Sequence, residues 1–165
     1  MLYSISMKKY LPWVAGLVGI VVLLSWGRLN PPQDIFWKDT KIACLPNGHA
    51  NLALHIHPDL QILVDGVAEK VPAHIGDTPS CMTEVHTHDD TGKIHAEATT
   101  ANKTFTLADF FAVWGTSIER PGYTLTATID GTPETNPSAL TLKDGQKIVL
   151  AYTKTIDTSL IAPQN

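Results

Sequence analysis

An uncharged run of 17 residues near the start, Tyr10-Leu-Pro-Trp-Val-Ala-Gly-Leu-Val-Gly-Ile-Val-Val-Leu-Leu-Ser-Trp26, divides this chain into two unequal parts. As a helix rising about 1.5 Å per residue, the run spans roughly 25 Å, at the short end for crossing a bilayer. It has no polar face, so it does not suit a surface helix of a globular domain. Tyr10 and Trp13 at one end and Trp26 at the other suit the two headgroup regions. Pro12 falls in the first turn, where its missing N–H costs little. Lys8 and Lys9 precede the run, which predicts a single-pass segment in the cytoplasmic membrane with the N-terminus inside and the rest exported. Met7 before these lysines reads like a signal start, which makes residues 1–6 a start-site extension. The length of the run favours a retained signal-anchor, while Ser25-Trp-Gly27 offers a small-x-small pattern for cleavage, so that point stays open. No Cys follows directly, which argues against a lipoprotein.

The expected organisation is an anchor or signal over residues 1–27, a spacer with Pro31-Pro32 over 28–42, an extracytoplasmic domain over 43–156 and a tail over 157–165. The net charge of −4 is split, with +2 in the first 27 residues and −6 in the remainder. There is no basic patch and no aromatic-interleaved basic stretch, which argues against a nucleic-acid partner. A chain of 165 residues has room for one core besides an anchor.

Within the domain, Leu52, Leu54, Ile56, Leu60, Ile62 and Val64 alternate with His55, His57, Asp59 and Gln61. Period two predicts a half-buried strand, bent or interrupted at Pro58. Asp65-Gly66 is a tight-turn signal, with Val67 to Val71 returning as a partner strand. A second hairpin is expected from Val85 to His88, a turn Asp89-Asp-Thr-Gly92, and Lys93 to Glu97. Thr106-Leu-Ala-Asp109 reads as a capping box with Asp in the place of Glu. Leu107, Phe110, Phe111 and Trp114 then form one apolar helical stripe that ends at Gly115. Tyr123, Leu125, Ala127 and Ile129 alternate with threonines, and Ile148-Val-Leu-Ala-Tyr152 reads as a central strand covered on both faces. The fold class is α+β, a β-rich domain with one main helix.

Hairpin, helix, strand, strand is the order of a ubiquitin-like β-grasp. Ala127-Thr-Ile-Asp-Gly131 through Leu142-Lys-Asp-Gly-Gln-Lys-Ile-Val-Leu150 resembles the end of the small sulfur-carrier proteins of that fold. Those carriers end in Gly-Gly, where a thiocarboxylate forms, whereas this sequence ends Ala162-Pro-Gln-Asn165, so the carrier function does not transfer.

Six of the seven histidines lie between His55 and His95. An H-x-H pair on a strand points both imidazoles to one face, which suits a shared transition-metal ion. His55 and His57 form one such pair and His86 and His88 another. If Val85 and Thr87 share the core face with Ile94 and Ala96, then His86, His88, His95 and Glu97 share the opposite one. The candidate ligands are therefore His55, His57, His86, His88, His95 and Glu97, expected to gather round one ion. Pointing away from the core, they are expected to be dispensable for folding. His74 lacks a paired neighbour and reads as a turn residue, and His49, beside Asn47-Gly48, as loop. Imidazole ligands suit copper or zinc; the carboxylate leans toward zinc, iron or manganese, and sulfur at Cys81-Met82 toward copper.

Cys44 and Cys81 are the only cysteines, and both lie in the exported part. A structural disulfide is the default there, ahead of thiolate metal ligands or a redox pair. No nucleophile motif, phosphate loop, dinucleotide fingerprint or haem-attachment pair is present. The acidic residues are too scattered to argue a paired-carboxylate mechanism.

Cys44-Leu-Pro-Asn-Gly-His49, Leu54-His-Ile-His-Pro58, Cys81-Met82, His86-Thr-His-Asp89 and Gly92-Lys-Ile-His-Ala-Glu97 form a specific set. With Thr106-Leu-Ala-Asp-Phe-Phe111 and Trp114-Gly115 they resemble a family of small membrane-anchored extracytoplasmic bacterial proteins. The likeness covers most of the domain and implies an anchor and an exported domain, but no activity. In that family the position of His74 is usually not histidine, in keeping with its place outside the site. The sequence thus predicts a membrane-tethered metal-binding domain that holds or delivers copper or zinc, or presents it to a membrane-protein partner. Its rivals are a non-catalytic interaction module with a pH-responsive histidine face, and a metalloenzyme whose open coordination position activates water or oxygen.

Overall fold

The computed structural model describes residues 35–155 and, ahead of them, Gly16 and Ile20, both helical. The anchor expected over residues 10–26 and the tail over 157–165 lie outside the described residues, those two positions apart. Among the described residues no helix is long and apolar enough to cross a membrane. The compact unit that carries the site begins at Ile35. Part of the expected spacer therefore packs with the domain: Ile42 is buried, and the Trp37 indole Nε1–H donates to the Val113 carbonyl at 3.1 Å.

The alternating stretch at the start breaks where expected. Pro58 offers no backbone N–H to a ladder, and the chain there leaves one sheet for another. Before it lies β1 (Leu54–Ile56) and after it β2 (Asp59–Val64). β2 turns through Asp65-Gly66 into β3 (Val67–Glu69). Both turn residues have positive φ, 49° and 82°, which is why Asp-Gly stands there. An excursion follows, with short strands β4 (Asp77–Thr78), β5 (Cys81–Met82) and β6 (Val85–His86), then β7 (His95–Ala98). The helix α1 (Leu107–Trp114) comes next, then β8 (Tyr123–Ile129), β9 (Thr132–Glu134) and β10 (Lys147–Lys154).

The larger sheet has the order β3-β2-β10-β8-β9. β10 inserts between the first and last hairpins, parallel to β2 and antiparallel to β8. The smaller sheet has the order β1-β7-β6, all antiparallel, and β4 pairs with β5. α1 starts with the expected capping box: Thr106 Oγ1 accepts the Asp109 N–H at 3.2 Å, and Asp109 Oδ2 accepts the Thr106 N–H at 2.8 Å.

One core joins these layers. Leu60, Ile62, Ile148, Leu150 and Tyr152 from the larger sheet pack with Leu107, Phe110 and Phe111 of α1 and with Val85, Ile94 and Ala96 beside the smaller sheet. Each large apolar side chain buried this fully contributes roughly 1.5–3 kcal/mol. The expectation that β10 is covered on both faces is only half met. Ile148, Leu150 and Tyr152 are buried, while Val149 and Ala151 on the other face are partly exposed, because α1 covers one side of the sheet.

The core locks the smaller sheet in place. Ile94 N–H donates to the Pro58 carbonyl at 2.9 Å and Leu60 N–H to the Gly92 carbonyl at 2.8 Å. Gly92 has φ +87°, and a Cβ there would meet the Leu60 carbonyl oxygen at 2.1 Å, so no larger residue fits this approach.

Candidate metal centre

β7 is the middle strand of the smaller sheet, and its register sets the site. His86 of β6 is paired with His95, and His55 of β1 with Glu97. Side chains alternate along a strand, so His95 and Glu97 share a face, and their cross-strand partners share it with them. The apolar residues Val85, Ile94 and Ala96 take the opposite face and are fully buried, as the hairpin pattern predicts. The sequence-derived ligands therefore come together, and ring centroids 4.5–6.1 Å apart link all five of these imidazoles.

Two features differ from the sequence expectation. The face is not open to solvent throughout, since His86 and Glu97 are 0 % exposed. They cannot be called dispensable for folding. The reason is the second difference: a loop lies over them and adds His49. Cys44 and Cys81 form a disulfide with Cα atoms 5.2 Å apart, Cys44 bridges Thr83, and Leu45 N–H donates to the Met82 carbonyl at 2.7 Å. The loop so tethered brings His49 Nδ1 within 3.1 Å of both Glu97 oxygens. Within this pattern the one available signal for His49 was the disulfide itself, which draws the segment after Cys44 toward the segment after Cys81. The bridge also removes both thiolates from the list of metal ligands.

Glu97 is a carboxylate buried among imidazoles. Its Oε1 lies 2.9 Å from His55 Nε2 and 3.6 Å from His95 Nδ1, and its Oε2 lies 3.0 Å from His49 Nδ1. A carboxylate without charged partners is expensive to bury. His95 Nδ1 is itself buried with no hydrogen-bond partner, and such an orphan costs roughly 1–3 kcal/mol. A cation in the cluster would answer both.

The outer nitrogens fix which ring atoms face inward. His86 Nδ1 donates to the Thr83 carbonyl at 2.7 Å, and His88 Nδ1 donates to Asp77 Oδ2 at 3.2 Å. A neutral imidazole that donates through Nδ1 carries its lone pair on Nε2. The two Nε2 atoms nevertheless face each other at 3.2 Å. Two lone pairs at that distance repel unless a proton or a metal ion lies between them. Burial lowers His86 to about 4, against opposition from its Thr83 hydrogen bond and from Glu97. Burial, reinforced by His88 and His57, lowers His95 to about 4. A metal ion between the two Nε2 atoms would remove that repulsion. The spacing fits one, because tetrahedral ligands at about 2.0–2.1 Å from zinc are roughly 3.3–3.4 Å apart.

Outer partners are in place as well. The Asp77 carboxyl is held below its usual range: its burial works against this, and hydrogen bonds from His74 and His88 outweigh it. His57 is fixed by Asp144, whose Oδ1 accepts the His57 backbone N–H at 2.8 Å and lies 3.7 Å from Nδ1. The Asp77 carboxylate is placed to orient the His88 imidazole. His74 stands apart, exposed and hydrogen-bonded to Asp77 at 3.3 Å, and belongs to none of the donor groups. Those groups are His49, His86 and His88; His55, His57 and His95; and His86, His95 and Glu97, with donor atoms within 4.8 Å of one another in each.

Fold and site together define a small α+β domain with histidine clusters that could hold a metal ion. No protein-family model matches this chain, and no curated protein or solved structure matches it at a significant level.

Proposed function

We propose that this chain is a membrane-tethered extracytoplasmic domain that binds a transition metal, copper or zinc, at its histidine face. It holds the metal for delivery or presents it to a membrane-protein partner. The observation that carries the metal reading is the meeting of His86 Nε2 and His88 Nε2 at 3.2 Å, with both outer nitrogens already donating elsewhere. Imidazoles with one carboxylate and no thiolate suit copper(II) or zinc. The tether rests on the uncharged run Tyr10–Trp26 behind Lys8-Lys9, and the disulfide supports an oxidising compartment. The frame is β-grasp-like: a first hairpin, a helix, a second hairpin and a last strand parallel to the first at the centre of the sheet.

The experiment is a titration of the full-length protein, purified without a histidine tag, with copper(II) and with zinc against a chelator of known affinity. Tight binding that His88→Ala weakens and His74→Ala leaves alone supports the function. Binding no tighter than that of a His74→Ala, His88→Ala double variant leaves the face as a polar interaction surface. Membrane fractions and protease accessibility of a C-terminal tag in spheroplasts test the topology, and a tag protected in intact spheroplasts would overturn it.

A further inference from the structure

We infer that the cluster is built for two metal ions, bridged by Glu97, rather than for one. This rests on the metal-binding reading above and asks how many ions the same face takes. Six histidines and one carboxylate converge here, whereas a zinc ion takes four ligands. A single ion would leave at least three donors unused, among them groups that are buried.

The donors form two triads joined at the centre. His49, His86 and His88 form one and His55, His57 and His95 the other, with no member in common, while a third group takes His86 from the first, His95 from the second, and Glu97. Glu97 touches both triads: its Oε1 and Oε2 lie 3.1 and 3.0 Å from His49 Nδ1, and Oε1 lies 2.9 Å from His55 Nε2 and 3.6 Å from His95 Nδ1. Glu97, in contact with members of both triads, is placed to be shared between two ions.

The outer shell repeats the division. Asp77 Oδ2 accepts a hydrogen bond from His88 Nδ1 of the first triad, and Asp144 Oδ1 accepts the His57 backbone N–H beside the second, 3.7 Å from the His57 ring nitrogen. Two divalent ions bring four positive charges, and Glu97, Asp77 and Asp144 supply three negative ones close by.

The test loads the full-length, untagged protein with copper(II) or zinc, removes loosely held metal by dialysis, and measures metal per chain. Two ions per chain are expected, falling to one in His57→Ala and to one in His88→Ala. Both side chains are partly exposed, and circular dichroism verifies that the variants fold. In the wild type, copper(II) resonance provides a reading that needs no variant. At full loading the two ions, roughly 3.5–4 Å apart as in carboxylate-bridged pairs, should couple and lose the isolated-ion spectrum, which should reappear in both variants. One ion per chain, abolished by either substitution, overturns the two-ion centre and leaves the metal-binding function standing. No bound ion in the wild type overturns both.

Discussion

Replacing both Cys44 and Cys81 by alanine removes a cross-link that closes a segment of 37 residues. In the chain-entropy description such a bridge restricts the unfolded state, and for this length the stabilisation is about 4 kcal/mol. A domain of about 120 residues has an unfolding entropy near 0.25 kcal/mol/K, so the loss corresponds to a fall in Tm of roughly 15 °C. The assay is thermal unfolding of the metal-free protein by circular dichroism, oxidised wild type against double variant. A second reading comes from the loop itself. The bridge, with the Leu45 N–H to Met82 carbonyl bond, is what lays His49 over Glu97. Metal affinity should therefore fall in the double variant even at a temperature where it remains folded. A change in Tm below about 3 °C together with unchanged metal affinity would refute the idea that the bridge both stabilises the domain and places His49.

Other outcomes follow from single groups. The His86 imidazole, lowered by burial from 6.5 to about 4, resists a proton that the unfolded chain accepts at pH 6.5. Stability of the metal-free protein is thus fully present above pH 6.5 and declines toward pH 4, by about 3 kcal/mol from this residue. Urea unfolding at a series of pH values checks it, and a flat profile between 6.5 and 4 contradicts it. Gly92→Ala should destabilise by more than 1 kcal/mol, because its Cβ would strike the Leu60 carbonyl in a conformation L residues rarely adopt; an unchanged Tm would contradict it. His86→Ala should lower stability as well as metal content, since it empties a fully buried position and orphans the Thr83 carbonyl. His74→Ala should change neither, as judged by the same unfolding and titration measurements.

Much of this was legible before any coordinates. Period-two alternation located β2 and β8, Asp65-Gly66 the first hairpin, and Thr106 with Asp109 the helix start, because each rests on local backbone chemistry. The phase of the second hairpin could be read from which apolar residues must share a face, and that phase put His86, His95 and Glu97 together. What could not be read was depth. Burial of His86 and Glu97 depends on a loop from residues 44–50 folding over them, a tertiary event with no local signature. His49 carries no local signature for the same reason, since Asn47-Gly48 reads as an ordinary turn until the disulfide carries it across. Asp77, in β4, and Asp144, in a turn, are separated in sequence from His88 and His57, and no spacing rule links them. Expecting β10 to be covered on both faces took an unbroken apolar run as evidence of a second layer, where the structure leaves Val149 and Ala151 partly exposed.

The claim at the centre of this account is that imidazoles of this face bind a transition metal without help from sulfur. X-ray absorption at the copper or zinc edge of the loaded full-length protein tests it most directly. The expected result is an inner shell of nitrogen and oxygen alone, at about 2.0–2.1 Å for zinc, with the outer scattering of several imidazole rings. Sulfur at about 2.3 Å, or a shell of oxygen with no imidazole scattering, would contradict it.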